Sequence, residues 1–175
     1  MQDIKNYKSK SRSLSNSQIL FEDYSCPNAR IVLREMVDAL VLEMIEKHLV
    51  TDSISLFIGY SKDVIKPVVK SVTIGEYTNS FRKLSEHFTS LYDNSVMPQY
   101  PIRRIGIGLN ELEDEDYKSI SFFDDTEAEE REESCQRALI EIKNRYGKNA
   151  VLRGISYVEK ATARTRNTLI GGHHA

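Results

Sequence analysis

The feature that most constrains the fold is a repeated change in the spacing of apolar residues between residues 15 and 110. Apolar side chains alternate with small or polar ones in four segments, as in β-strands, and recur every three or four residues in two others, as in amphipathic helices. The strand segments are residues 15–21, 53–61, 70–78 and 101–109, and the helical segments are residues 28–49 and 81–93. This β-α-β-β-α-β order predicts an α+β domain of the ferredoxin-like class, with a four-stranded antiparallel sheet and two helices on one face.

Capping residues support the helical segments. Ser25 and Pro27 are typical start signals for the first helix, and Asn79 or Ser80 is placed to cap the second. A third helix is predicted at residues 127–146, outside the sheet domain.

Charge divides the chain more sharply than its net charge of -2 indicates. Residues 111–133 hold twelve acids and two bases, a net charge of -10, whereas residues 134–175 carry +6. A block of like charges repels itself and is typical of an extended linker or an interaction tail. We therefore predict a linker at 1–14, a domain at 15–110, an acidic linker at 111–133, and a helical, basic tail at 134–175 whose end is poorly ordered in isolation.

The composition argues against several other classes. Cys26 and Cys135 lie far apart and lack metal-ligand spacing, which suits reduced thiols. The absence of an apolar run of about 18 residues predicts a soluble, cytoplasmic protein with no membrane partner. Because neither a Walker-type phosphate loop nor spaced metal ligands are found, we assign no metal and no cofactor to this chain.

The strand alternation also predicts which side chains lie on the sheet face away from the helices. This outward set is small, hydroxylated and locally basic. It comprises Ser55, Phe57, Gly59, Ser71, Thr73, Gly75, Arg104, Gly106 and Gly108. Small side chains let a nucleic-acid backbone approach, and hydroxyl and guanidinium groups donate hydrogen bonds to phosphate oxygens, which favours sequence-independent binding. From the pattern alone, a solvated surface without a binding function is an equal alternative.

Several strings carry a family resemblance together with the element order. They are KSKSRSLSNSQIL, VLREM, SLFIGYS, RRIGIGLNEL, RYGKNAVLRG and IGGHHA. They resemble the Y-family lesion-bypass DNA polymerases, in particular the UmuC-like (ImpB/MucB/SamB) branch. The resemblance implies that residues 15–110 form the little finger domain, which holds the primer-template duplex, and that the remainder of the polymerase is a partner. The catalytic palm domain, with the carboxylates that bind two Mg²⁺, has no counterpart here, so we expect a shortened, non-catalytic form that begins at Met1.

This resemblance, together with the basic hairpin, gives a set of expected DNA-binding residues. They lie in the linker, in the hairpin and on the last two strands: Lys8, Lys10, Arg12, Lys62, Lys70, Ser71, Thr73, Arg103 and Arg104.

The acidic block contains a candidate partner-binding peptide, Ser119-Ile120-Ser121-Phe122-Phe123. It resembles the Q-L-S-L-F peptide through which many bacterial polymerases bind the sliding clamp. In such peptides the apolar side chains of an extended segment enter a groove on the partner. Ser119 replaces the glutamine and Phe122 the leucine, and an extra strand docked on its own domain is the alternative.

The hypothesis that follows is a DNA-binding, clamp-recruiting fragment of a translesion polymerase that acts in DNA repair and SOS mutagenesis. Two other classes fit the predicted fold: a regulatory domain that binds a small molecule, and an RNA-binding module. The RNA-binding module is disfavoured because RNA-binding sheets stack bases on exposed aromatic rings. Such rings are scarce on the predicted face, where Phe57 is the main candidate.

Overall fold

The computed structural model describes residues 12–61, 65–119 and 126–169. The sheet domain consists of six elements in chain order. They are β1 (Leu14–Tyr24), α1 (Cys26–Glu46), β2 (Leu49–Tyr60), β3 (Val68–Thr78), α2 (Phe81–Asp93) and β4 (Ile102–Asn110). The predicted α+β class and the β-α-β-β-α-β order are confirmed.

Three further elements follow the sheet domain. They are β5 (Glu113–Asp114), α3 (Thr126–Tyr146) and α4 (Ala163–Arg166), with short 3-10 helices at Glu115–Tyr117 and Gly154–Tyr157.

The sheet has the strand order β1-β4-β2-β3, and all neighbouring strands are antiparallel. β1 and β3 are therefore the edges. Each of the two helices connects strands that are separated by one intervening strand, and α1 and α2 pack against each other on the same face. The opposite face of the sheet has no helix over it among the described elements.

The core lies between the sheet and the two helices. Its fully buried side chains include Leu33, Met36 and Ile45 of α1, Leu84 and Phe88 of α2, and Ile54, Leu56, Ile58, Ile105, Ile107 and Leu109 of the central strands. Each such side chain contributes about 1.5–3 kcal/mol when it leaves water. The predicted inward positions of the two central strands are thus confirmed.

The start signals of both helices lie where the sequence places them. Ser25 is the N-cap of α1, with a proline in the first turn. Ser80 is the N-cap of α2, and its hydroxyl oxygen accepts a hydrogen bond from the backbone N–H of Lys83. Side-chain caps of this kind contribute about 1 kcal/mol to a helix.

The alternation in β3 breaks near its end. The pairing of β2 with β3 shifts between Thr51 and Ser53, and Gly75 has a φ of 91°. This left-handed conformation favours glycine, because a Cβ there clashes with the backbone. Gly75, predicted simply as an outward residue, instead belongs to a bulge that the period of two does not reveal.

The acidic block is not a linker over its whole length. α3 begins at Thr126, so residues 126–133 are helical. The Glu132 carboxylate accepts hydrogen bonds from Ser80 Oγ at 2.7 Å and from the backbone N–H of Arg82 at 2.9 Å, which satisfies donors at the start of α2. Glu132 of the acidic block thus binds donors of the sheet domain.

Two further acids of the block form ion pairs. Glu115 lies 2.8 Å from Arg137, and Glu133 lies 2.9 Å from Lys118 and 3.0 Å from Arg137. Burial alone raises the pKa of Glu133, but the hydrogen bonds from Lys118 and Arg137 outweigh it and lower the pKa below its usual value. The sequence prediction of mutual repulsion is therefore corrected by pairing that the charge count does not show.

The C-terminal tail, here residues 147–169, is also docked, and the expectation of a poorly ordered end is wrong for this stretch. Glu35 of α1, only 5% exposed, accepts hydrogen bonds from the backbone N–H groups of Thr162 at 2.7 Å and Ala163 at 3.1 Å. Arg153 donates to Asp38 at 2.5 Å. These polar contacts lack any periodic apolar signal, which explains why the tail looks unstructured in sequence.

Candidate nucleic-acid interface

The sheet face without helices, called the open face below, is built from rows of directly paired residues. Residues that pair across antiparallel strands point to the same face. One row runs Ser15, Gly108, Ser55 and Ser71 across all four strands, and the next runs Ser17, Gly106, Phe57 and Val69. The side chains along the centre of the open face are therefore mostly small and rich in hydroxyl groups, as the outward set predicted.

Two glycines keep the centre of the open face flat. A Cβ on Gly108 would lie 2.5 Å from Ser55 Oγ, and a Cβ on Gly106 would lie 3.3 Å from the Cβ of Phe57. The space above β4 is thus already filled by side chains of its neighbours. A rod-like ligand can lie across this strand without meeting protruding groups.

Arg104 supplies the cation of the open face. It pairs with Ile19 of β1 and Gly59 of β2. Its Nε donates a hydrogen bond to Ser17 Oγ at 3.1 Å, and its guanidinium carbon lies 5.1 Å from the centroid of the Phe57 ring. Across the described ranges no carboxylate forms an ion pair with Arg104, so its charge is available to an anionic ligand.

The predicted residues Ser71 and Thr73 lie on the same face. Ser71 pairs with Ser55, and Thr73 pairs with Ser53, both on the central strand β2. Both are exposed hydroxyl residues of the edge strand β3. They extend the hydroxylated surface to the edge opposite β1.

Arg103 is separated from Arg104 by an irregularity in β4. The pairing of β2 with β4 shifts where Gly59 pairs with Arg104 and Tyr60 pairs with Ile102, which leaves Arg103 outside the regular rows. Its guanidinium lies 3.8 Å from the Asp23 carboxylate. Of the two arginines predicted to bind DNA, Arg104 is thus the one on the open face, as the alternation of β4 predicts.

Two other predicted residues lie away from the open face. Arg12 donates to Asp114 at 2.9 Å, at the end of the sheet where β5 begins. Lys70 pairs with Leu56, whose side chain is buried under the helices, so Lys70 belongs to the helix side of the edge strand β3. This orientation agrees with the alternation of β3, because Lys70 lies next to the outward Ser71.

Some predicted residues lie outside the described ranges. They are Lys8, Lys10 and Lys62 of the DNA-binding set and Ile120, Ser121, Phe122 and Phe123 of the clamp-binding peptide. Ser119, the first residue of that peptide, is described. Its backbone N–H donates to the carbonyl oxygen of Tyr77 at 2.8 Å, and its Oγ accepts from the Tyr77 N–H at 2.9 Å, so the peptide starts at the β3 edge.

The sequence analysis did not assign β1 residues to the open face. Ser15, Ser17 and Ile19 pair with Gly108, Gly106 and Arg104. The signal was weak because the intervening positions Asn16 and Gln18 are also polar. Gln18 lies on the helix side, where its Oε1 accepts a hydrogen bond from Thr162 Oγ1 of the tail at 3.2 Å.

A sequence model described as the impB/mucB/samB family C-terminal domain matches residues 11–122. The chain belongs to this family. The match covers the whole sheet domain and the start of the acidic block, and it confirms the predicted membership in the Y-family DNA polymerases through their C-terminal domain.

Relatives of the family agree with this assignment. A Bacillus subtilis (strain 168) protein named as a UV-damage repair protein, UvrX, is 29% identical over 163 residues, which cover 92% of this chain and 38% of that protein. "DNA polymerase IV 2" of the same organism is 30% identical over 105 residues, 60% of this chain and 24% of that protein. The protein of that name from Halalkalibacterium halodurans is 22% identical over 94% of this chain and 40% of its own length. This chain spans two fifths or less of each relative.

A solved structure of Dbh DNA polymerase in an insertion ternary complex is also similar. It is 12% identical, has a TM-score of 0.42, and covers 57% of this chain and 28% of that chain.

No helix in the described residues has the length and apolar content required to cross a membrane. Within the same ranges, no group of three or more histidine, cysteine or acidic side chains is arranged to hold a metal ion.

Proposed function

We propose that the open face binds the sugar-phosphate backbone of duplex DNA without reading its sequence. The observation that carries the proposal is the combination of flat hydroxyl and glycine rows with Arg104, a cation that has no acidic partner among the described residues. Hydroxyl groups and arginine are common donors to phosphate oxygens, and such contacts position a protein on a duplex without carrying sequence information.

The same geometry disfavours binding of single-stranded RNA. Sheets that read RNA stack bases on exposed aromatic rings. Here the Phe57 ring lies under the Arg104 guanidinium, and its row neighbours are Gly106 and Val69. A phosphate bound to Arg104 is compatible with this arrangement, whereas a base stacked on Phe57 has to displace the arginine.

We further propose that this chain is the DNA-holding part of a translesion polymerase that acts in DNA repair in the cytoplasm. Support comes from the family membership and from the relatives named for UV-damage repair and for DNA polymerase IV. In that proposal, nucleotidyl transfer with Mg²⁺ belongs to the remainder of the polymerase. The little finger contributes a backbone contact that is indifferent to the base, which suits a polymerase that must accept damaged templates.

Replacement of Arg104 tests the open face. Log K falls as log salt rises, and each phosphate contact contributes about 1 to the steepness of this fall. Arg104→Ala is therefore expected to make the slope less negative by about 1. The measurement is fluorescence anisotropy of a labelled primer-template duplex, titrated with the 175-residue chain between about 50 mM and about 200 mM salt.

The matched control is Arg131→Ala. Arg131 is exposed on α3 and lies near Glu127 of the same helix, away from the sheet. The control removes the same charge and is expected to bind as the wild type does. Equal slopes for the wild type and Arg104→Ala would contradict the assignment of the open face.

We also propose that residues 119–123 recruit the sliding clamp. The support is the resemblance of these residues to clamp-binding peptides. The two hydrogen bonds between Ser119 and Tyr77 agree instead with the alternative, an extra strand on the same domain, and the following experiment separates the two. A Phe122→Ala/Phe123→Ala variant is expected to bind an immobilised clamp more weakly than the wild type, because apolar anchors provide most of the affinity of such peptides. Tyr117→Ala, which removes an exposed aromatic ring just before the peptide, is the control. Unchanged clamp binding by the double variant would remove the peptide from the proposal.

A further inference from the structure

An arginine of the C-terminal tail lies at the edge of the open face. Arg166, the last residue of α4, donates a hydrogen bond to the carbonyl oxygen of Ile19 in β1. Its guanidinium carbon lies 5.1 Å from the centroid of the Phe21 ring. Ile19 is also the residue that pairs with Arg104. The tail therefore brings a second arginine to the row that holds the first.

The charge of Arg166 is not balanced by a carboxylate in the part of the chain that the structure describes. The side chain is half-buried, and its Nε is buried without a hydrogen-bond partner there. Burial lowers the pKa of the guanidinium, yet arginine stays charged at neutral pH. Because charges removed from water are normally paired, an unpaired half-buried arginine at a surface indicates a place for an anion.

We propose that Arg166 binds a phosphate of the duplex on the open face, so that the sheet and the tail form one composite DNA-binding surface. This inference rests on the proposed function of the open face. Neighbouring strands lie about 4.8 Å apart. Phosphates follow each other at about 3.4 Å of axial rise along one DNA strand. Arg104 pairs with Ile19 and Arg166 donates to the Ile19 carbonyl oxygen, so a DNA backbone that crosses from β4 to the β1 edge passes both arginines.

Exposed apolar side chains lie beside the second arginine. Ile19 is 64% exposed and Phe21 is 51% exposed, and both belong to β1. Sugars present an apolar surface between phosphates, so these side chains fit a backbone that runs from Arg104 to Arg166. Without a ligand, their exposure serves no purpose in the packing of the domain.

The tail holds Arg166 through the anchor at Glu35. The Glu35 carboxylate accepts hydrogen bonds from Thr162 and Ala163, at the beginning of the single turn that ends in Arg166. Lys160, just before this turn, is already paired with Glu22 of β1. The tail therefore positions the Arg166 guanidinium beside the sheet, where no carboxylate of the described residues forms an ion pair with it.

The test is a salt titration of duplex binding by the 175-residue chain carrying Arg166→Ala. We expect the magnitude of the negative slope of log K against log salt to decrease by about 1, as for one lost phosphate contact. Arg166→Lys keeps the charge and is expected to restore most of the slope. Arg164→Ala is the matched control, because Arg164 is exposed on the same turn and stacks on Tyr157 at 5.0 Å.

The outcomes separate this inference from the proposed function. If Arg104→Ala lowers the slope and Arg166→Ala does not, the composite surface is wrong while the open face still binds DNA. If neither lowers it, both proposals fail.

A second measurement needs no substitution and does not depend on how well a variant folds. Added duplex is expected to slow amide hydrogen exchange in residues 163–169 of the wild-type chain as well as in β4. Slower exchange in β4 with no change in 163–169 would overturn the role of Arg166.

Discussion

Ser55→Asp is expected to weaken duplex binding at least tenfold. Ser55 lies on the central strand β2, between Gly108 and Ser71 in the middle of the open face. A carboxylate there faces the phosphate backbone of the proposed ligand. Like charges brought together at an interface cost several kcal/mol, and each 1.4 kcal/mol is a factor of ten in affinity.

The measurement is the same anisotropy titration, and the control is Ser134→Asp. Ser134 is exposed on α3, so the control adds the same charge to the chain away from the sheet. Thermal unfolding of both variants verifies that the domain is intact. Duplex affinity of Ser55→Asp within twofold of that of Ser134→Asp would show that the open face does not meet DNA.

Glu35→Ala is expected to release the tail while the sheet domain stays folded. The substitution leaves two donors without their acceptor, the N–H groups of Thr162 and Ala163, whereas the Thr162 hydroxyl still has Gln18 Oε1. A hydrogen bond to a charged group contributes about 1.5–3 kcal/mol, and the loss is limited because the freed donors reach water once the tail opens. We expect the free energy of tail opening to fall by about 3 kcal/mol, roughly a hundredfold in amide exchange rate.

Hydrogen exchange of residues 160–169 measures this effect directly. Glu43→Ala, which removes an exposed carboxylate of the same helix that pairs only locally with Lys47, is the control and is expected to leave the tail protected. Protection of the tail that survives Glu35→Ala would mean that Arg153, Lys160 and the apolar contacts hold it without the buried carboxylate.

Local signals in the sequence were sufficient for the sheet domain. The period of two in β2 and β4 predicts the buried Ile54 and Ile107, and the position before an amphipathic segment predicts Asn79 or Ser80 as the cap, of which the structure shows Ser80. These features depend on interactions within one element. They can therefore be predicted from consecutive residues.

Features that depend on pairing between distant residues were missed. The bulge at Gly75 follows from the pairing of β2 with β3. The tail is the extreme case, since Glu35 and Thr162 are 127 residues apart and meet only through polar contacts. One of four carboxylates in α1 and a threonine in an irregular tail do not identify each other as partners.

The same limit applies to the candidate interface. The outward hydroxyl residues, glycines and Arg104 were predicted from alternation alone, but alternation does not reveal the partners of the two arginines. Arg103 lies near Asp23 and Arg104 lies over Phe57, and both contacts depend on pairing between distant residues.

The contact of Glu132 with the start of α2 bears on what counts as a unit of this protein. The region matched by the family model ends at residue 122, yet the carboxylate that satisfies Ser80 and Arg82 comes from beyond that end. A piece cut at the family boundary keeps every strand of the sheet and loses the group that completes one of its two helices. The evolutionary module and the thermodynamic module of this chain therefore have different ends.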